Sequence, residues 1–433
     1  MSALSTLRPG EPGYDEAAAV YTRTGSPELI ARAEKPQHVA EAIEYAASRG
    51  LALSVRSGGH SGQGWSTNDG GVVVDLRSMA DVVVLDPRAG RVRLGAGATW
   101  GDVADRLRPE GLALSSGDTR SVGVGGIATS GGIGWMVRKH GLTIDSILSA
   151  DVVLADGTVV QASETSHPDL FWALRGGGGN FGVVTSVECV AQPVSQVHAG
   201  TIRYAPTDLS KFLRAWADVH RTAPEELNST LYLMRGLEPY PSGVVGAVAY
   251  IGDDEAAANA AIVPLLRLDG FSGADITAKH YSDVLAKSSQ QPGTRPASTN
   301  TLAESFDDGT ADALAEWFEN GDDPRLGFIR WLGGAFGRVP SDATAFPQRA
   351  AEALIVGRVF GPGDATDEDL AALLAPFDTV HERGIGSYQG FLGITTARDL
   401  DRIYPHATLD RLRAVKRRYD PDNRFRLNYN VAP

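Results

Sequence analysis

Residues 55–64 read Val-Arg-Ser-Gly-Gly-His-Ser-Gly-Gln-Gly, and what this decamer can hold decides the fold. It follows an apolar run at 51–55 and sets His60 directly after two glycines. Glycines let backbone N–H groups approach a ligand closely. Successive free N–H groups form a concavity that fits phosphate. A phosphate cradle that also carries an imidazole suggests a cofactor held by its phosphates and touched by a nucleophile. The decamer alone fits a glycine turn with a solvated histidine equally well, because short glycine motifs are common.

The chain around it has 433 residues, too many for one ordinary core, so two domains are expected. A composition 42% hydrophobic and 21% charged is that of a globular protein. The net charge of −13 argues against a nucleic-acid surface, which needs a basic stripe. The single cysteine, Cys189, excludes an intramolecular disulfide and sits in a strand-like run as an inert thiol. No basic segment followed by an apolar core precedes Tyr14, and no apolar run reaches spanning length. The expectation is a cytoplasmic protein with neither a membrane nor a nucleic-acid partner.

Helical spacing of Val39, Ile43 and Ala46 predicts a helix over 38–50. Short strands are expected at 51–55, 72–76, 82–85 and 92–94, and Thr99 and Asp102 form a capping box opening a helix to about Pro109. Asp156-Gly157 between two apolar runs predicts a hairpin. Beyond residue 196 helices (208–220, 255–268, 312–320, 367–383) alternate with strands (231–234, 244–250, 327–332, 353–360), the texture of an α+β domain. Residues 287–299 read as an exposed loop. A helix is expected at 409–419, then a turn at 420–423.

Glycine gathers at 58–64, 123–134 and 176–182. Gly123-Val124-Gly125-Gly126-Ile127-Ala128 formally satisfies the dinucleotide fingerprint G-x-G-x-x-A, but 115–121 is no apolar strand and 129–134 is too rich in glycine for a stable helix. A long, helix-poor loop lying along a diphosphate is the expectation there. In the third cluster the apolar half, 169–174, reads as core and the four glycines as a sharp return into a strand.

Taken in order, these pieces resemble the vanillyl-alcohol oxidase and p-cresol methylhydroxylase type of flavoprotein, in its berberine-bridge-enzyme-like branch. The matching stretches are Arg56-Ser57-Gly58-Gly59-His60, Gly123-Val124-Gly125-Gly126, Gly131-Gly132-Ile133-Gly134, 138–142, 170–182 and 419–428. They span nearly the whole chain. The resemblance implies an α+β protein: a two-subdomain FAD-binding domain of p-cresol methylhydroxylase type, plus an α+β substrate domain whose antiparallel sheet is covered by helices. It places the FAD-binding domain at 1–196, the substrate domain at 197–395, and a returning C-terminal segment at 396–433.

The resemblance also implies FAD, joined covalently through His60 to the flavin 8α-methyl carbon. Family members with a second, cysteinyl link carry Cys where this chain has Thr119, so a single link is expected. Cofactor contacts are expected from Arg56, Ser57, Gly58, Gly59, His60 and Ser61 of the first loop. The second contributes Gly117, Thr119, Val122, Gly123, Gly125 and Gly126, then Thr129, Gly132 and Gly134. Val183, Asn428 and Asn430 complete the set. Val124 is expected near the reactive edge, with room for dioxygen.

Tyr388-Gln389-Gly390-Phe391 loosely matches a family Tyr-x-Asn-Tyr stretch, with Phe391 in place of the second tyrosine. Tyr388 and Tyr429 are the candidate catalytic residues; a tyrosine near pKa ~10 needs a cationic neighbour to act as a base. Arg330, Trp331 and Phe336 are candidate pocket residues or simply core. The histidines lack metal-ligand spacing. The expected activity is FAD-dependent oxidation of a small alcohol, amine or sugar-like molecule, with dioxygen as the electron acceptor and hydrogen peroxide as product. The alternative is a flavin dehydrogenase with another acceptor. A non-catalytic nucleotide-binding module would have no use for His60.

Overall fold

The computed structural model describes residues 3–237, 242–288, 294–394, 396 and 398–433. Three main sheets organise the chain. The first has four strands in the order Ser5–Leu7, Leu29–Arg32, Val72–Asp75, Leu53–Arg56. Its last three strands are parallel, and the helix Pro36–Ser48 crosses between two of them. His38, Val39, Ala42, Ile43 and Ala46 of that helix are buried against Leu53, Val72 and Val74. Strands buried on both faces carry unbroken apolar runs, which is why 72–74 is Val-Val-Val.

The second sheet is antiparallel, in the order Val82–Asp86, Arg91–Gly95, Val183–Val190, Ile147–Val153, Val159–Ser163. Asp156-Gly157 turns its last hairpin, and Cys189 lies fully buried in its central strand with burial pushing the thiol up to about 12. The third sheet has seven antiparallel strands: Phe271–His280, Gln196–Tyr204, Gly243–Tyr250, Leu227–Arg235, Arg325–Trp331, Ala353–Pro362, Thr294–Ala303. Leu231, Leu233, Ile329, Trp331 and Ile355 point to one face and are covered by Leu209–Thr222 and Asp308–Glu319 through Phe212, Trp216, Leu314 and Trp317. Burying each such side chain is worth about 1.5–3 kcal/mol. On the opposite face Leu354 and Val356 join the core that holds the second sheet.

Several expectations change. The second glycine cluster is not helix-poor: Val124–Ser130 is an α-helix. Packing overrides propensity there, because Val124 and Ala128 are buried and the Thr129 hydroxyl donates back to the Gly125 carbonyl at 3.0 Å. The helix stops at Gly131 (φ 141°). Residues 287–299 are not all loop: a strand begins at Thr294 and is buried from Ala297 onward, while 289–293 lie outside the described residues. The helix expected over 367–383 breaks after Leu374 at Pro376. The boundary placed at residue 395 also lies outside the described residues.

Candidate functional site

Strand Leu53–Arg56 delivers the first glycine loop to the junction of the three sheets. Arg56 is buried and its guanidinium donates to the Ala17 carbonyl, so its side chain anchors the loop from behind. After it, the consecutive backbone N–H groups of Gly58, Gly59, His60 and Ser61 donate to no acceptor among the described residues. Buried or half-buried N–H groups are rarely left so, and a row of them is an anion cradle. Ser57 ties the loop to its neighbour: its hydroxyl donates to the Ala96 carbonyl at 2.6 Å and accepts the Gly125 N–H at 3.2 Å. A Cβ on Gly58 would lie 2.3 Å from the Gly123 nitrogen, so only glycine lets the two loops touch.

The His60 ring lies on the Tyr21 ring, with centroids 4.7 Å apart and planes at 21°. Neither ring nitrogen makes a hydrogen bond among the described residues. Burial lowers the His60 pKa, so the imidazole is neutral at pH 7. A neutral, unbonded ring nitrogen is a nucleophile. The Tyr21 N–H donates to the Gly59 carbonyl at 3.0 Å and holds the stack in place.

The second loop is pinned on its far side. Thr119 bridges to Ala286, and the Asp118 carbonyl accepts the Ala286 N–H at 2.7 Å. The Asp118 carboxylate pairs with Arg330 of the seven-stranded sheet, and that guanidinium sits 4.5 Å from the Trp135 ring centre. Gly117 and Val122 lie on this loop, and Gly123 caps the helix that holds Gly125, Gly126 and Thr129. The Thr129 carbonyl accepts the N–H groups of Gly176 and Gly178 at 3.0 and 2.9 Å, joining the second and third clusters. Gly134 passes so near Ser116 that a Cβ would lie 1.8 Å from its carbonyl oxygen.

The C-terminal tail closes the site. Lys416, wholly buried, donates to the Asn180 and Phe425 carbonyls and to Asp420 at 2.7–2.9 Å, which locks the third cluster to the last helix, His406–Tyr419. Gln63 donates to the Tyr429 hydroxyl and, at 2.6 Å, to the Leu392 carbonyl. The Oδ1 atoms of Asn428 and Asn430 are buried with no hydrogen-bond partner among the described residues. Two orphaned acceptors and a row of orphaned donors fit a bound group such as FAD that carries both N–H and phosphate.

Tyr388 lies on the Gly131–Gly132 turn, and its hydroxyl accepts the Gly132 N–H at 3.2 Å. Burial raises the pKa of Tyr388 and of Tyr429, and no cation acts on either. Their hydroxyls are therefore held protonated, as hydrogen-bond donors, rather than poised as bases.

The structure thus brings together all three glycine clusters, His60, Tyr388, Tyr429, Asn428 and Asn430. Val183 packs beneath the first sheet, and Val124 is wholly buried in the core. Trp331 and Phe336 are core, whereas Arg330 joins the site. Sequence reasoning missed Tyr21, Tyr232, Phe328 and Arg358. The last three sit on alternating positions of strands whose inward face could not be assigned before the sheet was known. Among the described residues no cluster of metal ligands occurs and no helix is long and apolar enough to cross a membrane.

Residues 27–163 match the family described as FAD binding domain, and residues 401–432 match the one described as berberine and berberine like. The chain is 32% identical to (R)-6-hydroxynicotine oxidase of Paenarthrobacter nicotinovorans, over 99% of its own length and 96% of that protein. It superposes on the crystal structure of 6-hydroxy-D-nicotine oxidase from Arthrobacter nicotinovorans with a TM-score of 0.86 at 30% identity, covering 99% and 98% of the two chains. It superposes on xylooligosaccharide oxidase from Myceliophthora thermophila in complex with xylobiose with a TM-score of 0.87 at 28% identity, covering 99% and 97%.

Proposed function

This chain belongs to the berberine-like FAD-linked oxidoreductases, a family rich in oxidases, and on that footing we propose that it carries a single covalently attached FAD on His60 and oxidises a small molecule at a C–H bond. The observation that carries this reading is one loop offering the unpaired N–H groups of Gly58 to Ser61 together with the unbonded, neutral His60 imidazole. When bound, FAD would take a hydride from the substrate at N5 and pass two electrons to dioxygen, giving hydrogen peroxide.

The chain's own residues would do the rest. The first two loops would hold the pyrophosphate, with residues 1–196 and 396–433 acting as the cofactor domain and 197–395 as the substrate domain. Asn428 and Asn430 would accept from the cofactor's N–H groups. Tyr21 would fix the plane of the His60 ring and thus the direction of its lone pair. Thr119, with no thiol, would leave the His60 bond as the single tether. Tyr388 and Tyr429 would place protonated hydroxyls at the catalytic centre and orient the substrate oxygen or nitrogen. The working address proposed is the cytoplasm.

Acid precipitation followed by peptide mapping tests the tether: the yellow colour should stay with the pellet and with the peptide that contains His60. Peroxide release on a panel of alcohols, amines and sugars tests the oxidase. Reduced protein that recovers its colour only slowly in air would instead favour a dehydrogenase.

A further inference from the structure

The inner face of the seven-stranded sheet carries a charge that no carboxylate among the described residues neutralises. Residues directly opposite in an antiparallel sheet share a face. Thr230 lies opposite Arg330 and Arg330 opposite Leu354; Tyr232 lies opposite Phe328 and Phe328 opposite Val356; Leu326 lies opposite Arg358. This face therefore presents Arg330, Tyr232, Phe328 and Arg358 toward the cofactor loops.

The two arginines differ. Arg330 is 2% exposed and satisfied by Asp118 and Thr230. Arg358 makes no hydrogen bond and no ion pair among the described residues. The groups that act on its charge are the phenols of Tyr21 and Tyr232, and no carboxylate is among them. A guanidinium keeps its charge in any protein setting, and a buried charge without a partner is costly. Arg358 is nonetheless only half-buried, as are Tyr232, Phe328 and Phe391, whereas the residues behind them on the helix-covered face are closed to solvent.

Ring contacts run on from this face. Tyr232 packs on Phe328 at 6.1 Å, Phe328 on Phe391 at 5.0 Å, and Phe391 on Tyr388 at 5.7 Å. At the other end Tyr21, which stacks on His60, is one of the two phenols that act on the Arg358 charge. Among the described residues this cation meets two phenols and no carboxylate, on a face it shares with the half-buried rings of Tyr232 and Phe328, the second of which packs on Phe391.

Resting on the function proposed above, we propose that the substrate is a carboxylic acid with a flat apolar body, its carboxylate paired with Arg358 and its ring or chain lying along Tyr232, Phe328 and Phe391. Arg358 is then the residue that sets specificity, because a planar guanidinium matches a carboxylate with two parallel hydrogen bonds. Neutral sugars and amines lack the group that would discharge it.

The test uses the purified flavoprotein with benzoate and benzamide, which share a ring and differ in charge. Binding is read by tryptophan fluorescence and by the rise in Tm at fixed ionic strength. Benzoate should bind about tenfold or more tighter than benzamide, the size of one charge-assisted hydrogen bond. Arg358→Gln should remove the preference, and Arg358→Lys should keep part of it. Equal binding of the two probes by a yellow wild-type protein overturns the proposal alone. A preference that survives in Arg358→Gln also overturns it. A protein recovered without flavin overturns the function on which it rests, and the proposal with it.

Discussion

His60 lies face to face on Tyr21, 4.7 Å between ring centres, and among the described residues neither of its nitrogens is hydrogen-bonded. A stack of this kind fixes the ring plane without consuming the lone pair. His60→Ala should therefore release the flavin on acid precipitation while leaving the fold intact, because the ring is only half-buried. Tyr21→Ala should keep the histidine yet slow attachment. The measured quantities are flavin retained in the acid pellet and the time course of its incorporation into apoprotein. Full retention in His60→Ala would place the tether elsewhere.

Tyr388→Phe removes the oxygen that accepts the Gly132 N–H and leaves that buried donor unpaired, at a cost of about 1–3 kcal/mol. A fall in turnover of about tenfold or more, with the flavin content unchanged, is expected if the hydroxyl also meets substrate. Gly132→Ala is harsher. Its φ of 87° disfavours any side chain, and a Cβ there would lie 2.0 Å from the Thr143 hydroxyl. Denaturation midpoints and steady-state rates on the two variants separate the contributions.

Lys416→Met should destabilise the protein by about 3–5 kcal/mol, because it strands the buried Asp420 carboxylate and two carbonyls. Flavin retention should fall with it, since Asn180 loses its anchor to the last helix. Differential scanning calorimetry would show a drop in Tm of several degrees; an unchanged Tm would remove Lys416 from the frame of the site.

Acid should weaken the fold before most carboxylates titrate. Burial holds His220 at about 3 and His140 at about 4, both below the unfolded value of about 6.5. Between those limits the unfolded chain binds protons that the folded chain refuses, so stability rises with pH and is lost as pH falls below about 6.5. For His220, which bonds the Trp216 carbonyl and Ser229, the slope is about 1.4 kcal/mol per pH unit. Chemical denaturation at pH 7, 6 and 5 should show the decline, and His220→Gln should flatten it.

Much of the site was legible before the fold was known. Arg56 to His60 and the glycines at 123–134 and 176–179 announce close backbone approach, because no other residue permits the contact seen between Gly58 and Gly123. The helix inside the second cluster was not legible: intrinsic preference argues against Val124–Ser130, and only burial of Val124 and Ala128 reverses it. Arg358 and Tyr232 were invisible for another reason. Alternation along a strand shows that two faces exist, but which face meets the cofactor loops depends on the helices that cover the other.

The clasp between Gln63 and Tyr429 joins positions 366 residues apart. A contact of such separation costs loop-closure entropy before it returns any energy. The histidine loop can therefore form from local chain early in folding, while the cradle around it is complete only once the segment carrying Tyr429 has docked.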